Sequence, residues 1–140
     1  MKKTNIWILL SLVGLIALSI FCVTRSTMEI NSDFATETLL EFHYDDTSIS
    51  VTITNEADVL ILKQILSGRP FSNSSICPFS EDISITMTNG KKSIMFCPAN
   101  DGCPLLRIGN SGKKCIQISD ENNTKLHEIL EKYGMFFPCI

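Results

Sequence analysis

The chain has 140 residues, 44% of them apolar, with 12 Lys and Arg against 15 Asp and Glu and a net charge of −3. A mildly acidic chain has no electrostatic reason to hold nucleic acid or anionic lipid, so nucleic acid is excluded as an expected partner. The length accommodates one membrane segment and one domain with a modest core.

Lys2 and Lys3 precede an apolar run of 18 residues, Ile6 to Val23, that contains no charge. As a helix the run spans ~27 Å at ~1.5 Å per residue, close to the hydrocarbon thickness of a bilayer. Residues 1–5 read as a cytoplasmic flank and 6–23 as a transmembrane anchor or signal segment. No A-x-A site follows, which favours an uncleaved anchor; cleavage and secretion are the alternative. Bulky Phe21 before Cys22 does not suit lipoprotein processing. Lys2, Lys3 and the amino terminus outweigh Arg25, which predicts a single-pass cell-membrane protein with its carboxy-terminal domain extracytoplasmic. The membrane is thus one expected partner. Two of the 12 basic residues lie in the flank, leaving 10 against 15 acidic residues and −5 outside.

Residues 24–38 are polar and aperiodic and read as a tether, with the domain at 39–140. Leu39 to Tyr44 and Ile49 to Thr54 alternate apolar and polar residues around the turn cluster Asp45–Ser48, a hairpin signal. Asn55 is a helix N-cap ahead of Glu56 and Asp58, the apolar helix runs from Ala57 to Leu66, and Gly68 with Pro70 stops it. A loop, FSNSSICPFSE, follows. Asp82 to Thr88 alternates into Asn89-Gly90, a strong two-residue hairpin signal. That turn predicts Thr88 opposite Lys91, Ile85 opposite Ile94 and Ile83 opposite Phe96. Further strands are expected at Leu105–Ile108 and Lys114–Ser119, joined by Asn110-Ser111-Gly112. Asp120 is the candidate cap of a last helix whose stripe is Leu126, Ile129, Leu130 and Tyr133, and Gly134 closes it. The order ββαββββα predicts an α+β fold: one antiparallel sheet with two helices on its apolar face.

The meander places the two tight turns at one end, gathering Lys91, Lys92, Lys113 and Lys114 as candidate anion contacts. The other end gathers Cys77, Cys97 and Cys103. Outside the cytoplasm these are disulfide candidates, in any of their pairings, and such a staple adds ~2–4 kcal/mol. Cys115 and Cys139 are a second pair or free thiols; five outer cysteines are odd. Cys97-x5-Cys103 matches neither a zinc ribbon nor a C-x-x-C redox motif. Asn100-Asp101-Gly102 falls short of a calcium loop, and the three Cys-Pro dipeptides are weak haem-type signals, so no metal or cofactor is expected. His43 and His127 stand in no nucleophile motif, and no P-loop, G-x-S-x-G or H-E-x-x-H occurs. The polar face with Ser84, Thr86, Thr88, Ser93, Met95, Cys97, Cys115 and Gln117 reads as a solvated sheet face on which a partner could dock.

The stretches "ITNEADVLILKQIL", "CPANDGCPLLRIGN" and "IQISDENNTKLHEILEKYG" resemble small membrane-anchored or exported proteins of low-GC Gram-positive bacteria without an assigned activity. The resemblance covers Ile53 to Ile140 and carries over no functional residue. The reading is therefore a non-catalytic extracytoplasmic binding module for an unknown protein or envelope ligand. Its alternative is a thiol-based redox or metal-handling envelope protein.

Overall fold

The computed structural model describes residues 29–44, 46–72, 78–79, 82–109 and 112–135. The 6–23 run lies outside these residues, and among the described ones no helix is long and apolar enough to cross a membrane. The elements are β1 Glu37–Tyr44, β2 Thr47–Ile53, α1 Glu56–Ile65, β3 Phe71–Ser72, β4 Ile83–Thr88, β5 Ser93–Pro98, β6 Leu105–Ile108, β7 Lys114–Gln117 and α2 Asp120–Lys132. The fold is α+β: one antiparallel sheet of seven strands, ordered β2-β1-β4-β5-β6-β7-β3, with two helices.

Alternation sends one residue set of each strand to a common face. Leu40, Ile85 and Phe96 lie in one cross-strand row and are fully buried. They share a core with Val59, Leu62 and Ile65 of α1 and Leu126, Ile129 and Leu130 of α2. Both helices therefore cover this face, as the sequence pattern implied. Asn55 Oδ1 accepts from the amides of Ala57 and Asp58, both at 3.1 Å, and caps α1. The cap of α2 is Ser119, one residue earlier than expected: its hydroxyl accepts from Asn122 N at 3.2 Å. Asp120 instead sits in the first turn, where its charge favours the positive helix end. Gly134 (φ 82°) ends α2, with Met135 N donating to Leu130 O at 2.9 Å, and Met135 itself is buried.

Four expectations change. The β4–β5 register is Thr88↔Ser93, Met87↔Ile94 and Ile85↔Phe96, two residues from the predicted one. Asn89 Oδ1 accepts from the amides of Lys91 and Lys92, and Thr88 Oγ1 from that of Gly90, so side chains organise a four-residue connection in place of a two-residue turn. The first hairpin has the opposite error: Tyr44 pairs with Thr47, leaving only two residues in its turn. Part of the presumed loop after α1 is the short strand β3, paired with β7 through Phe71↔Cys115 and Ser72↔Lys114. Finally, residues 29–38 are not a tether. Ile30 bridges Gly68, Ala35 is buried, and buried Ser32 donates its hydroxyl to Leu66 O at 2.7 Å. That bond satisfies a carbonyl left unpaired at the end of α1.

Candidate functional site

The second face of the sheet carries the alternate residues. At the β1–β4 side it is polar and partly solvated: Thr52 is exposed and Thr86 half-buried, while Ser84, expected on a solvated face, is buried. Ser84 donates to Glu41 Oε2 at 3.2 Å. Toward β7 the character changes. Cys97 of β5, Arg107 of β6, Cys115 of β7 and Phe71 of β3 form one row across four strands. Cys97 and Cys115 were expected on a solvated face, yet each is only 1% exposed.

Arg107 occupies the centre of that row because it alternates with Leu106 and Ile108, which belong to the core. Gly109 follows at φ 77°, a left-handed conformation that glycine adopts without steric cost. Its carbonyl accepts from Arg107 Nε at 3.2 Å and from the Cys97 thiol at 3.8 Å. The ring of Phe79 lies 5.7 Å from Arg107 Cζ. Phe79 is positioned by its bridge to Ala99 and by the bond from Asn100 N to Pro78 O, 2.9 Å. Nη2 of Arg107 is buried and has no hydrogen-bond partner among the described residues. An unpaired buried donor of this kind costs about 1–3 kcal/mol, more where the group is charged. Arg107 is the candidate binding residue that sequence reasoning missed. The signal was present: a lone positive charge inside a strand, with a cysteine opposite it on each neighbouring strand.

The other predicted residues separate. Cys97 carries a free thiol. Cys103 is half-buried in the loop before β6, and Cys77 and Cys139 lie outside the described residues. The loop ends do converge as expected: Asn123 Nδ2 of α2 donates to Gly102 O at 3.3 Å, and Ile118 N to Pro104 O at 3.0 Å. Among the described residues no group of three or more His, Cys, Asp or Glu could hold a metal ion. Lys91, Lys92, Lys113 and Lys114 are all exposed on the two turns. Lys92 Nζ stands 4.2 Å above the Phe34 ring, which gives it a role in holding the 29–38 segment.

His43 does meet a serine: its Nδ1 lies 3.0 Å from Ser48 Oγ across the first hairpin. Both residues are exposed, so water surrounds the pair, and it reads as a cross-strand contact. His127 is half-buried, and burial lowers its pKa against the opposing charge of Glu131. The most strongly tied titratable cluster is Asp58, whose Oδ2 accepts from Lys132 Nζ at 2.7 Å and Tyr133 OH at 2.6 Å. It joins the start of α1 to the end of α2 and is fully partnered, which marks it as structural. On the outer side of the helices a groove of about 330 Å³ runs between Ile61, Gln64, Lys125 and Glu128.

Comparison with protein-family models, curated proteins and solved structures finds no match. The site therefore has to be judged on its own chemistry. Arg107 is half-buried and offers a planar fork of donors: Nε is bound to Gly109 O, and Nη2 is buried without a partner among the described residues. Such a fork matches a carboxylate or phosphate better than any other side chain does.

Proposed function

We propose that the chain is a membrane-anchored, extracytoplasmic binding module without a catalytic role, and that it reads its ligand through Arg107 on the second sheet face. The observation that carries this reading is the buried Nη2 with no acceptor among the described residues. A charged donor that has lost water pays for itself when an acceptor arrives, and the guanidinium selects an oxyanion-bearing group. The half-buried ring of Phe79 is the gate: an entering carboxylate or phosphate displaces it and meets Nη2. The anchoring rests on the charge-free run from Ile6 to Val23 behind Lys2 and Lys3. Thiol chemistry at Cys97 is less well supported, since reactive thiols are partly exposed whereas Cys97 is sealed at 1% exposure; that second reading would act through half-buried Cys103.

The test is a titration of the isotope-labelled full chain with acetate and, separately, inorganic phosphate, followed by NMR. A saturable shift of the Arg107 Nε–H and Gly109 amide signals, absent in Arg107→Met, is expected. If both signals stay still while the spectrum is that of a folded protein, the site is not a receptor for oxyanions.

A further inference from the structure

The two edges of the sheet are unlike. One edge is β3, only two residues long, and a strand that short offers little for another chain to pair with. The other edge is β2, seven residues with the sequence TSISVTI. It carries no charge, no proline and no glycine, so it lacks the residues that usually blunt an open edge. Its pairing among the described residues is with β1 alone.

The direction of its free groups follows from the ladder. His43 N donates to Asp82 O, so the odd-numbered residues of β1 bond toward β4. The even-numbered ones bond toward β2, where their partners are Ile53, Val51, Ile49 and Thr47. Ser48, Ser50 and Thr52 therefore direct both N–H and C=O outward.

We infer that β2 is a homodimerisation edge: two copies pair antiparallel about a two-fold axis at Ser50 and continue the sheet from one molecule into the next. The strand is nearly a palindrome about that residue. With Ser50 opposite the partner's Ser50, Ser48 meets the partner's Thr52, so every outward-directed residue meets another. Roughly six backbone hydrogen bonds result, two for each such pair. Ile49 meets the partner's Val51, and these two are half-buried at the rim of the core in the single chain. From Ser48 to Thr52, apolar side chains thus face apolar ones and hydroxyls face hydroxyls; only at the strand ends does Thr47 meet the partner's Ile53, and no like charges oppose each other. The axis runs perpendicular to the sheet, so the helices of both copies share one side and the contact closes as a dimer.

Three variants of the full chain test this. In the pairing described, the Ser50 Cα atoms lie roughly 5.5 Å apart, within disulfide range, whereas the two Ser48 positions are far from each other. Ser50→Cys should give a reducible covalent dimer under mild oxidation beyond that of the unsubstituted chain, and Ser48→Cys should not. Ser50→Lys faces Glu41 within its own hairpin, so the monomer tolerates it, but it sets two ammonium groups against each other at the axis. Sedimentation equilibrium should show a dimer for the unsubstituted chain and roughly tenfold weaker association for Ser50→Lys. Equal cross-linking of the two cysteine variants, no cross-link at Ser50, or a monomer at all concentrations each overturns the inference. Near-UV circular dichroism confirms that each variant is folded, so a misfolded Ser50→Lys is replaced by Ser50→Arg, which again faces Glu41 in the monomer and sets two cations against each other at the axis.

Discussion

The same strands build two faces of the sheet by opposite means. On the helix-covered face, Leu40, Ile85 and Phe96 are sealed by apolar side chains of α1 and α2, and the buried hydroxyls of Thr38 and Ser32 are satisfied, donating to Met87 Sδ at 3.0 Å and to Leu66 O at 2.7 Å. On the second face, Cys97 and Cys115 are sealed just as completely, yet the residue between them is an arginine. Burial alone therefore does not distinguish core from site in this protein. What distinguishes them is whether the buried polar groups are satisfied. Among the described residues, the first face leaves no buried side-chain donor or acceptor open, while the second leaves Nη2 of Arg107 without an acceptor.

The contrast should appear most strongly in stability. Phe96→Ala removes a fully buried ring from the first face and should cost about 3–5 kcal/mol, enough to threaten folding. Thr86→Ala, on the wet part of the second face, should stay within about 0.5 kcal/mol. Urea midpoints of the two variants measure the difference; similar losses would mean that the second face is a core in its own right.

A second test concerns the bond between the helices that hold the first face together. Asp58→Ala removes the acceptor shared by Lys132 and Tyr133 and should cost about 1–3 kcal/mol. The hydrogen bond from Lys132, then that from Tyr133, holds the Asp58 carboxyl below its ordinary pKa, against the opposing effect of burial. A depressed pKa in the folded state gives a stabilisation present above the unfolded carboxylate pKa of about 3.9 and lost as pH falls through the folded value. Lys132 and Tyr133 are both raised, chiefly by the same hydrogen bonds to Asp58. Their contribution is complete below about pH 10 and is lost as pH rises through the folded values. Asp58→Asn should accordingly flatten both the acid and the alkaline limbs of the melting-temperature profile. An unchanged profile would remove this cluster from the account of how the helices are held.

Much of the first face is legible from sequence, because a two-residue period names the buried set without any knowledge of pairing. The errors come from what that period cannot see. Moving the β4–β5 register by two residues leaves Ile83, Ile85, Met87, Ile94 and Phe96 on the same face, so agreement of the apolar sets could not tell a two-residue turn from a longer one. The choice was made by the hydrogen bonds of Asn89 and Thr88 to the turn amides. β3 is two residues long and has no period at all. The segment from Ile30 to Ala35 looks like a linker because its contacts, Ser32 with Leu66 and Ile30 with Gly68, are made mostly through the backbone. Alternation puts Cys97 and Cys115 on the second face, but the period says nothing of what covers that face, and both are buried there. Pro78 and Phe79, which lie against its Arg107 end, are joined to the sheet by backbone bonds and one ring contact that no spacing rule announces.

The smallest expected effect is the most specific to the second face. Arg107→Met keeps the length and the apolar stem while removing the guanidinium. It gives up the Nε bond to Gly109 O, worth about 0.5–1.5 kcal/mol, and relieves the buried donor, worth about 1–3 kcal/mol. These oppose each other, so stability in the absence of ligand should be unchanged or higher by about 1 kcal/mol. Arg107→Lys makes a sharper partner to it. The single ammonium cannot donate as a planar fork, and burial disfavours its charge, so this nominally conservative change should cost more than the apolar one. The order Met at least as stable as Arg, and Arg more stable than Lys, measured by urea unfolding, is what a donor held ready for an absent acceptor predicts. A structural arginine, whose hydrogen bonds serve the fold, would give the reverse for Met: a loss comparable to that of Asp58→Ala. In that event the second face would be a second core that happens to contain a charge, and the difference between the two faces would be one of composition and not of purpose.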